Sequence, residues 1–264
     1  MAETTMIVSR FLRLVSTSLW AVILLSQPLT VNADSNKRIH VAVASNFAPL
    51  AVKLAHQFKQ QSDIEIITFA SSSGAAYAQI VQGAPFDLFL SADTYRPEQL
   101  ERLGHIVEGS RSTYARGVLV LWAPNQQLPA ANHAELSNWL LTQSRVAIAN
   151  PKIAPYGDAA IRVFEAIGIE QQIKYNTVMG SNVFQAYQYV YTGNAPVGLV
   201  GRHLVQDRPN VLALPEDLYP SINQQLVVLK RSDLVTEAMA FRAFLLSAQV
   251  QQQIINAGFA RGDS

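Results

Sequence analysis

A chain of 264 residues that is 49% hydrophobic and only 15% charged can fill a sizeable core and divide into two lobes. Its formal net charge of +1 offers no basic field for nucleic acid or acidic lipid. The absence of cysteine excludes disulfide staples and thiolate metal sites.

Arg10 and Arg13 flank an apolar run from Leu12 to Leu25, which breaks at Ser26-Gln27-Pro28 and is followed by Val31-Asn32-Ala33. A basic segment, an apolar run and a small-residue end predict a secretory signal peptide over residues 1–33, removed after Ala33. The run is short for a membrane span, and Pro28 closes it. Met6 is an alternative start. Removal takes away Arg10, Arg13 and Glu3, leaving 18 Lys plus Arg against 18 Asp plus Glu. An exported chain without cysteine suits a bacterial periplasm.

Ile39–Ala44 (IHVAVA) predicts a buried strand, and Pro49–Gln60 a helix with Leu50, Leu54 and Phe58 on one face. Ile64–Ala70 is a second strand. Ala75–Val81 is a helix closed by Gly83 and Pro85. Asp87–Ser91 is a third strand, and Pro97–Leu103 a helix stopped by Gly104. This alternation predicts a parallel sheet with helices on both faces. After Val118–Trp122 the pattern restarts. A helix over 134–142, a strand over 146–149, a helix over 158–167 and a helix over 183–191 are followed by strands over 196–200, 211–214 and 226–229. Helices over 234–246 and 248–255 end the chain. The predicted fold is α/β with two lobes, 34–116 plus 225–264 and 117–224. The segments Val118–Trp122 and Leu226–Leu229 cross between them as a hinge, with a cleft at the carboxyl ends of the strands.

Three strand-to-helix junctions share one design of small polar residues: Ala44-Ser45-Asn46-Phe47, Ala70-Ser71-Ser72-Ser73-Gly74 and Gly180-Ser181-Asn182-Val183. A helix N-terminus carries unpaired N–H groups and a positive dipole end, so it attracts an anion without a charged side chain. Ser and Asn are also ordinary helix caps, so any one junction alone reads as structural. Catalytic serine chemistry lacks support, because no Gly-x-Ser-x-Gly elbow occurs. His40, His56, His105, His133 and His203 are scattered, show no metal-ligand spacing, and read as surface or capping residues. Tyr187, Tyr189 and Tyr191 sit two apart on a helix and so cannot all reach one ligand. Asp93 either caps the next helix or accepts a proton from a protonated oxyanion.

These segments resemble the periplasmic molybdate-binding proteins of ABC uptake transporters. The likeness runs from about Ile39 to the C-terminus. It is carried by Val-Ala-Ser-Asn-Phe at 43–47, Phe-Ala-Ser-Ser-Ser-Gly at 69–74 and Gly-Ala-Pro-Phe-Asp-Leu-Phe-Leu-Ser-Ala-Asp at 83–93. Ala-Asn-Pro at 149–151, Ala-Pro-Tyr-Gly at 154–157 and Asn-Ala-Pro-Val-Gly-Leu-Val at 194–200 add to it. The resemblance implies a type II two-lobe binding protein that is not an enzyme and carries no cofactor. It implies a monomer that captures molybdate, and tungstate, for a membrane permease. It carries five ligand positions onto this chain: Ser45, Asn46, Ser72, the backbone N–H of Tyr156 and that of Val183. Tyr156 comes from the resemblance alone. Some relatives place a ligand tyrosine after the Gly-x-Val strand, where this chain has Gly201. The alternatives are another bound ion, sulfate or ferric iron, and a secreted serine hydrolase acting through Ser72 or Ser45.

Overall fold

Period-two alternation sorts the residues of the first sheet between two cores. In strand β1 (Lys37–Ala44), Ile39, Val41 and Val43 enter one apolar cluster while Ala42 enters another. Strand β3 (Leu88–Leu90) sends Leu88 and Leu90 to the first cluster and Phe89 to the second. Helix α1 (Ala48–Lys59) covers the first face with Leu54 and Phe58. Helix α2 (Ser73–Val81) covers the other with Ala76 and Ile80, and α3 (Tyr95–Arg102) adds Leu100. The computed structural model describes residues 37–262, so the expected signal segment lies outside the described residues.

Strand β1 pairs in parallel with β2 (Ile64–Ser71) and with β3. Strand β4 (Ser112–Gly117) lies at the far edge, and β10 (Ile222–Val228) runs antiparallel between β3 and β4, giving the order β2-β1-β3-β10-β4. The second sheet repeats the plan with β5 (Leu119–Trp122), β6 (Val146–Ala149), β7 (Thr177–Gly180), β8 (Val197–Gly201) and β9 (Val211–Ala213). Its order is β7-β6-β8-β5-β9, with β6 parallel to β7 and β8 and with β5 reversed. Each sheet thus has one reversed strand in the fourth place. Helices α4 (His133–Leu141), α5 (Pro155–Ala166), α6 (Glu170–Ile173) and α7 (Val183–Tyr191) pack on the second sheet. Helices α8 (Val235–Leu246) and α9 (Ala248–Asn256) return to the first, placing Phe241, Leu245 and Ile254 in its core. The predicted two-lobe α/β fold is the one observed.

One residue, Val118, separates β4 of the first sheet from β5 of the second. The chain comes back between β9 and β10. Strand β4 was not expected, because Ser112, Thr113 and Arg116 interrupt its apolar pattern. It forms because Tyr114 and Ala115 bury fully and because β10 supplies a partner. Strand β10 also starts earlier than its apolar run, at Ile222. Among the described residues no helix is long and apolar enough to cross a membrane.

Candidate functional site

Parallel pairing brings the carboxyl ends of β1, β2 and β3 to one edge of the first sheet, and those of β6 and β7 to one edge of the second. Loops leaving these ends converge on a small cavity between the lobes. The cavity, about 190 Å³ counting the space open to solvent at its mouth, is lined by Ser45, Asn46, Ser72, Ser73 and Ala92 from the first lobe. Ala154, Pro155, Tyr156, Asn182 and Val183 line it from the second. All five expected ligand positions therefore border one space. No charged side chain does. Two wider grooves flank it, of about 750 and 1570 Å³, and both carry charges. The smaller cavity is the one whose chemistry suits a desolvated anion held by neutral donors.

The first-lobe wall differs from the expected pair of helix caps. Ser45 and Asn46 lie in the turn before α1, whose N-cap is Phe47, with no side-chain cap bond. The Ser45 N–H donates to the Ser71 carbonyl at 2.8 Å, which ties this turn to the end of β2. The amide of Asn46 is engaged too, its Nδ2 donating to Gln224 Oε1 at 2.9 Å. The three serines divide their tasks. Ser71 Oγ donates to the Ser72 carbonyl, and Ser73 Oγ accepts from the Ala92 N–H at 2.9 Å. Ser72 is the N-cap of α2 and accepts from the Ala75 N–H at 3.3 Å, so its own hydroxyl proton is free to point into the cavity.

The second-lobe wall is made of helix first turns. Tyr156 is the second residue of α5 and Val183 the first of α7, positions whose N–H groups have no acceptor within their own helix. Asn182 caps α7 by accepting from the Gln185 N–H at 3.0 Å, so its side chain fixes the helix start and leaves the Val183 N–H to face outward. Gly157 lets α5 begin hard against β6, since a Cβ there would collide with the Ala149 carbonyl.

Tyr156 contributes two different groups. Its side chain is buried, and its hydroxyl lies against Gly117 and accepts from Gln224 Nε2 at 3.5 Å. Gln224 Oε1 also accepts from the Tyr114 hydroxyl at 3.1 Å, which in turn reaches the Ser91 carbonyl. Asn46, Tyr114, Tyr156 and Gln224 thus form one buried polar network at the hinge. Burial pushes the Tyr156 phenol well above its ordinary range, against the smaller opposing effect of hydrogen bonds from Asn46 and Gln224. Burial raises Tyr114 in the same direction. Both hydroxyls stay neutral at physiological pH. Gln224 was missed in the sequence, although counting back by twos from Val228 and Leu226 puts it on the inward face of β10.

Asp93 is committed to Arg96, whose guanidinium and backbone N–H it accepts, and to Ser91 Oγ at 3.0 Å, so it acts as a cap for α3. No histidine lines the cavity with Ser45 or Ser72, and no group of His, Asp or Glu able to hold a metal occurs among the described residues. Tyr187 stacks on Trp122 and Tyr191, which is packing rather than a ligand set. His203 departs from the expected surface or capping role, because both of its ring nitrogens are buried without a partner.

The lobes touch beside the cavity. The Gly74 N–H donates across the cleft to the Ile153 carbonyl at 2.9 Å. A Cβ on Gly74 would lie 2.9 Å from Ile153 Cα, so only glycine allows this approach.

Two α/β lobes joined where the chain crosses at Val118 and again between β9 and β10, rather than by strands that span both sheets, with backbone and hydroxyl donors converging between them, define a solute-binding protein. The family profile described as bacterial extracellular solute-binding protein matches residues 39–260, and the chain belongs to that family. It is 35% identical over 243 residues to the molybdate-binding protein ModA of Azotobacter vinelandii, covering 90% of this chain and 96% of that one. It is 38% identical over 220 residues to ModA of Rhodobacter capsulatus, covering 83% and 86%. The solved structure of the Azotobacter vinelandii periplasmic molybdate-binding protein superposes with a TM-score of 0.78 at 32% identity, covering 85% of this chain and all of that one. These relatives are binding proteins, not enzymes.

Proposed function

We propose that this chain captures molybdate, and tungstate, in the cavity between its lobes and hands it to the membrane permease of an ABC importer. The observation that carries this reading is the lining of the cavity. It offers hydroxyl and backbone donors from both lobes and no charged group. A tetrahedral dianion needs several short donors and repels nearby carboxylates, and this lining meets both conditions. The first-lobe donors are Ser45, Asn46 through its backbone N–H, and Ser72. The second-lobe donors are the N–H groups of Tyr156 and Val183. The hydroxyl of Tyr156 belongs to the hinge network, so Tyr156 serves the ion through its backbone.

The anion enters while the lobes are apart, and their closure brings the two walls together around it. Fixed donors on opposed walls tolerate little change in anion radius, so the smaller sulfate binds more weakly. Residues 1–33 direct export to the periplasm and are removed, and the mature chain works as a monomer. The names of the relatives support the choice of ion.

Isothermal titration of the chain from residue 34 with molybdate, tungstate, sulfate and phosphate tests this reading. Saturable one-to-one binding of the first two, with sulfate and phosphate at least a hundredfold weaker (about 2.7 kcal/mol), is expected. Equal or tighter binding of sulfate would overturn it.

A further inference from the structure

The hinge is built around Gly117 and Val118. On the first-lobe side, Arg116 and Ala260 exchange both backbone hydrogen bonds, at 2.8 and 2.9 Å. On the second-lobe side, the Arg202 N–H donates to the Val118 carbonyl at 2.9 Å. The residues next to these anchors, Phe259 and His203, meet across the hinge. Their rings stack with centroids 4.5 Å apart and planes only 11° from parallel. Any rotation about Gly117 moves one anchor relative to the other and so opens or compresses this stack.

Glycines back the pair on one side, while its other side borders the wider of the two flanking grooves. A Cβ on Gly201 would collide with the imidazole, and one on Gly258 would lie 2.9 Å from His203 Cα. Gly258 also has φ +94°, a backbone setting that side chains rarely adopt. The Tyr156 ring meets the imidazole edge-on at 5.9 Å. Neither ring nitrogen of His203 has a hydrogen-bond partner among the described residues, and its flat ring is engaged by the Phe259 stack. Burial pushes its pKa down to about 3, so the ring is uncharged when it stacks.

We propose that His203 and Phe259 form a hinge stop that fixes how far the lobes close, and that this stop is a determinant of anion size selectivity. The inference rests on the molybdate reading above. Neither residue lines the cavity. They act by setting the distance between the Ser45–Ser72 wall and the Tyr156–Val183 wall. With the stop in place, the walls halt at the separation that suits the larger oxyanion. Without it the walls are no longer held at that separation and tilt about the Gly74–Ile153 contact, which misplaces the donors around molybdate and lowers its advantage over sulfate.

The test is titration with molybdate and with sulfate at pH 7.5, on the chain from residue 34 and on His203→Ala, Phe259→Ala, the double variant and His203→Phe. Each alanine variant is expected to weaken molybdate roughly tenfold and to lower the molybdate-over-sulfate ratio by more than that. The double variant should be no worse than either single one, because both break the same stack. His203→Phe, which keeps a flat ring without unpartnered nitrogens, should keep both the affinity and the ratio. Unchanged selectivity in alanine variants that melt normally would overturn the proposal, and so would additive losses in the double variant. If the alanine variants fail to fold, His203→Leu and Phe259→Leu carry the same test, since leucine fills volume without a planar stop. Loss of molybdate binding in the unaltered chain would instead sink the functional reading itself.

Discussion

The two walls of the cavity reach the same end by different means. The first-lobe wall uses side chains and a turn, with Ser72 capping α2 while keeping a proton to donate. The second-lobe wall uses the first-turn N–H groups of α5 and α7, and its polar side chain, Asn182, works as a cap behind the donor. The difference teaches that sequence variation has unequal consequences. A hydroxyl is lost with its residue, but a backbone donor survives any substitution except proline.

The largest effect is expected where both walls must meet. In Gly74→Val the added branch strikes the Ile153 backbone, so the lobes cannot reach their closed contact. Affinity for molybdate should fall by at least a hundredfold while the melting temperature of the unliganded chain moves little, as titration and calorimetry would read. Wild-type affinity in this variant would mean that the Gly74–Ile153 contact is not part of the bound state.

Next comes the comparison of donors. Val183→Pro deletes one N–H at a position where proline suits a helix, and Asn182 before it is already extended at ψ 173°. It should cost about 1–3 kcal/mol of binding, whereas Val183→Ala should cost almost nothing. Equal losses in the two would place the contribution of Val183 in its side chain. Ser72→Ala should lose about 1–3 kcal/mol of affinity and also about 1 kcal/mol of stability, because the hydroxyl both donates and caps. Asn182→Ala should show the stability loss, again about 1 kcal/mol, with little change in affinity.

The smallest effect sharpens the role of Tyr156. Tyr156→Phe removes a hydroxyl that sits in the hinge network, so it should lower stability by about 0.5–1.5 kcal/mol and leave affinity within about threefold. A tenfold loss of affinity with unchanged stability would move that hydroxyl into the ion's shell.

Much of this was legible in the sequence, and the exceptions have physical causes. Helix α7 was readable to its ends, because Asn182 is a strong cap and Gly193 a strong stop. The buried strands β1 and β6 were readable from their apolar runs. Strand β4 was hidden, because its edge position tolerates Ser112, Thr113 and Arg116. Ser45 and Asn46 were legible as residues that border the cavity but not as turn residues, since composition cannot separate a cap from the turn before it. Gln224 announces itself only through the inward register of β10. The Gly74–Ile153 contact and the His203–Phe259 stack join residues far apart in the chain, and no local pattern carries such pairings.

The central claim is that a dianion sits among neutral donors of both lobes and away from the charged grooves. A crystal structure of the chain loaded with molybdate, with the ion located by anomalous scattering from molybdenum, tests it most directly. The account predicts one strong peak in the small cavity, with oxyanion atoms about 2.7–3.0 Å from Ser72 Oγ and from the Tyr156 and Val183 nitrogens. A peak in the groove lined by Lys53 and Arg208, with the small cavity empty, would contradict it.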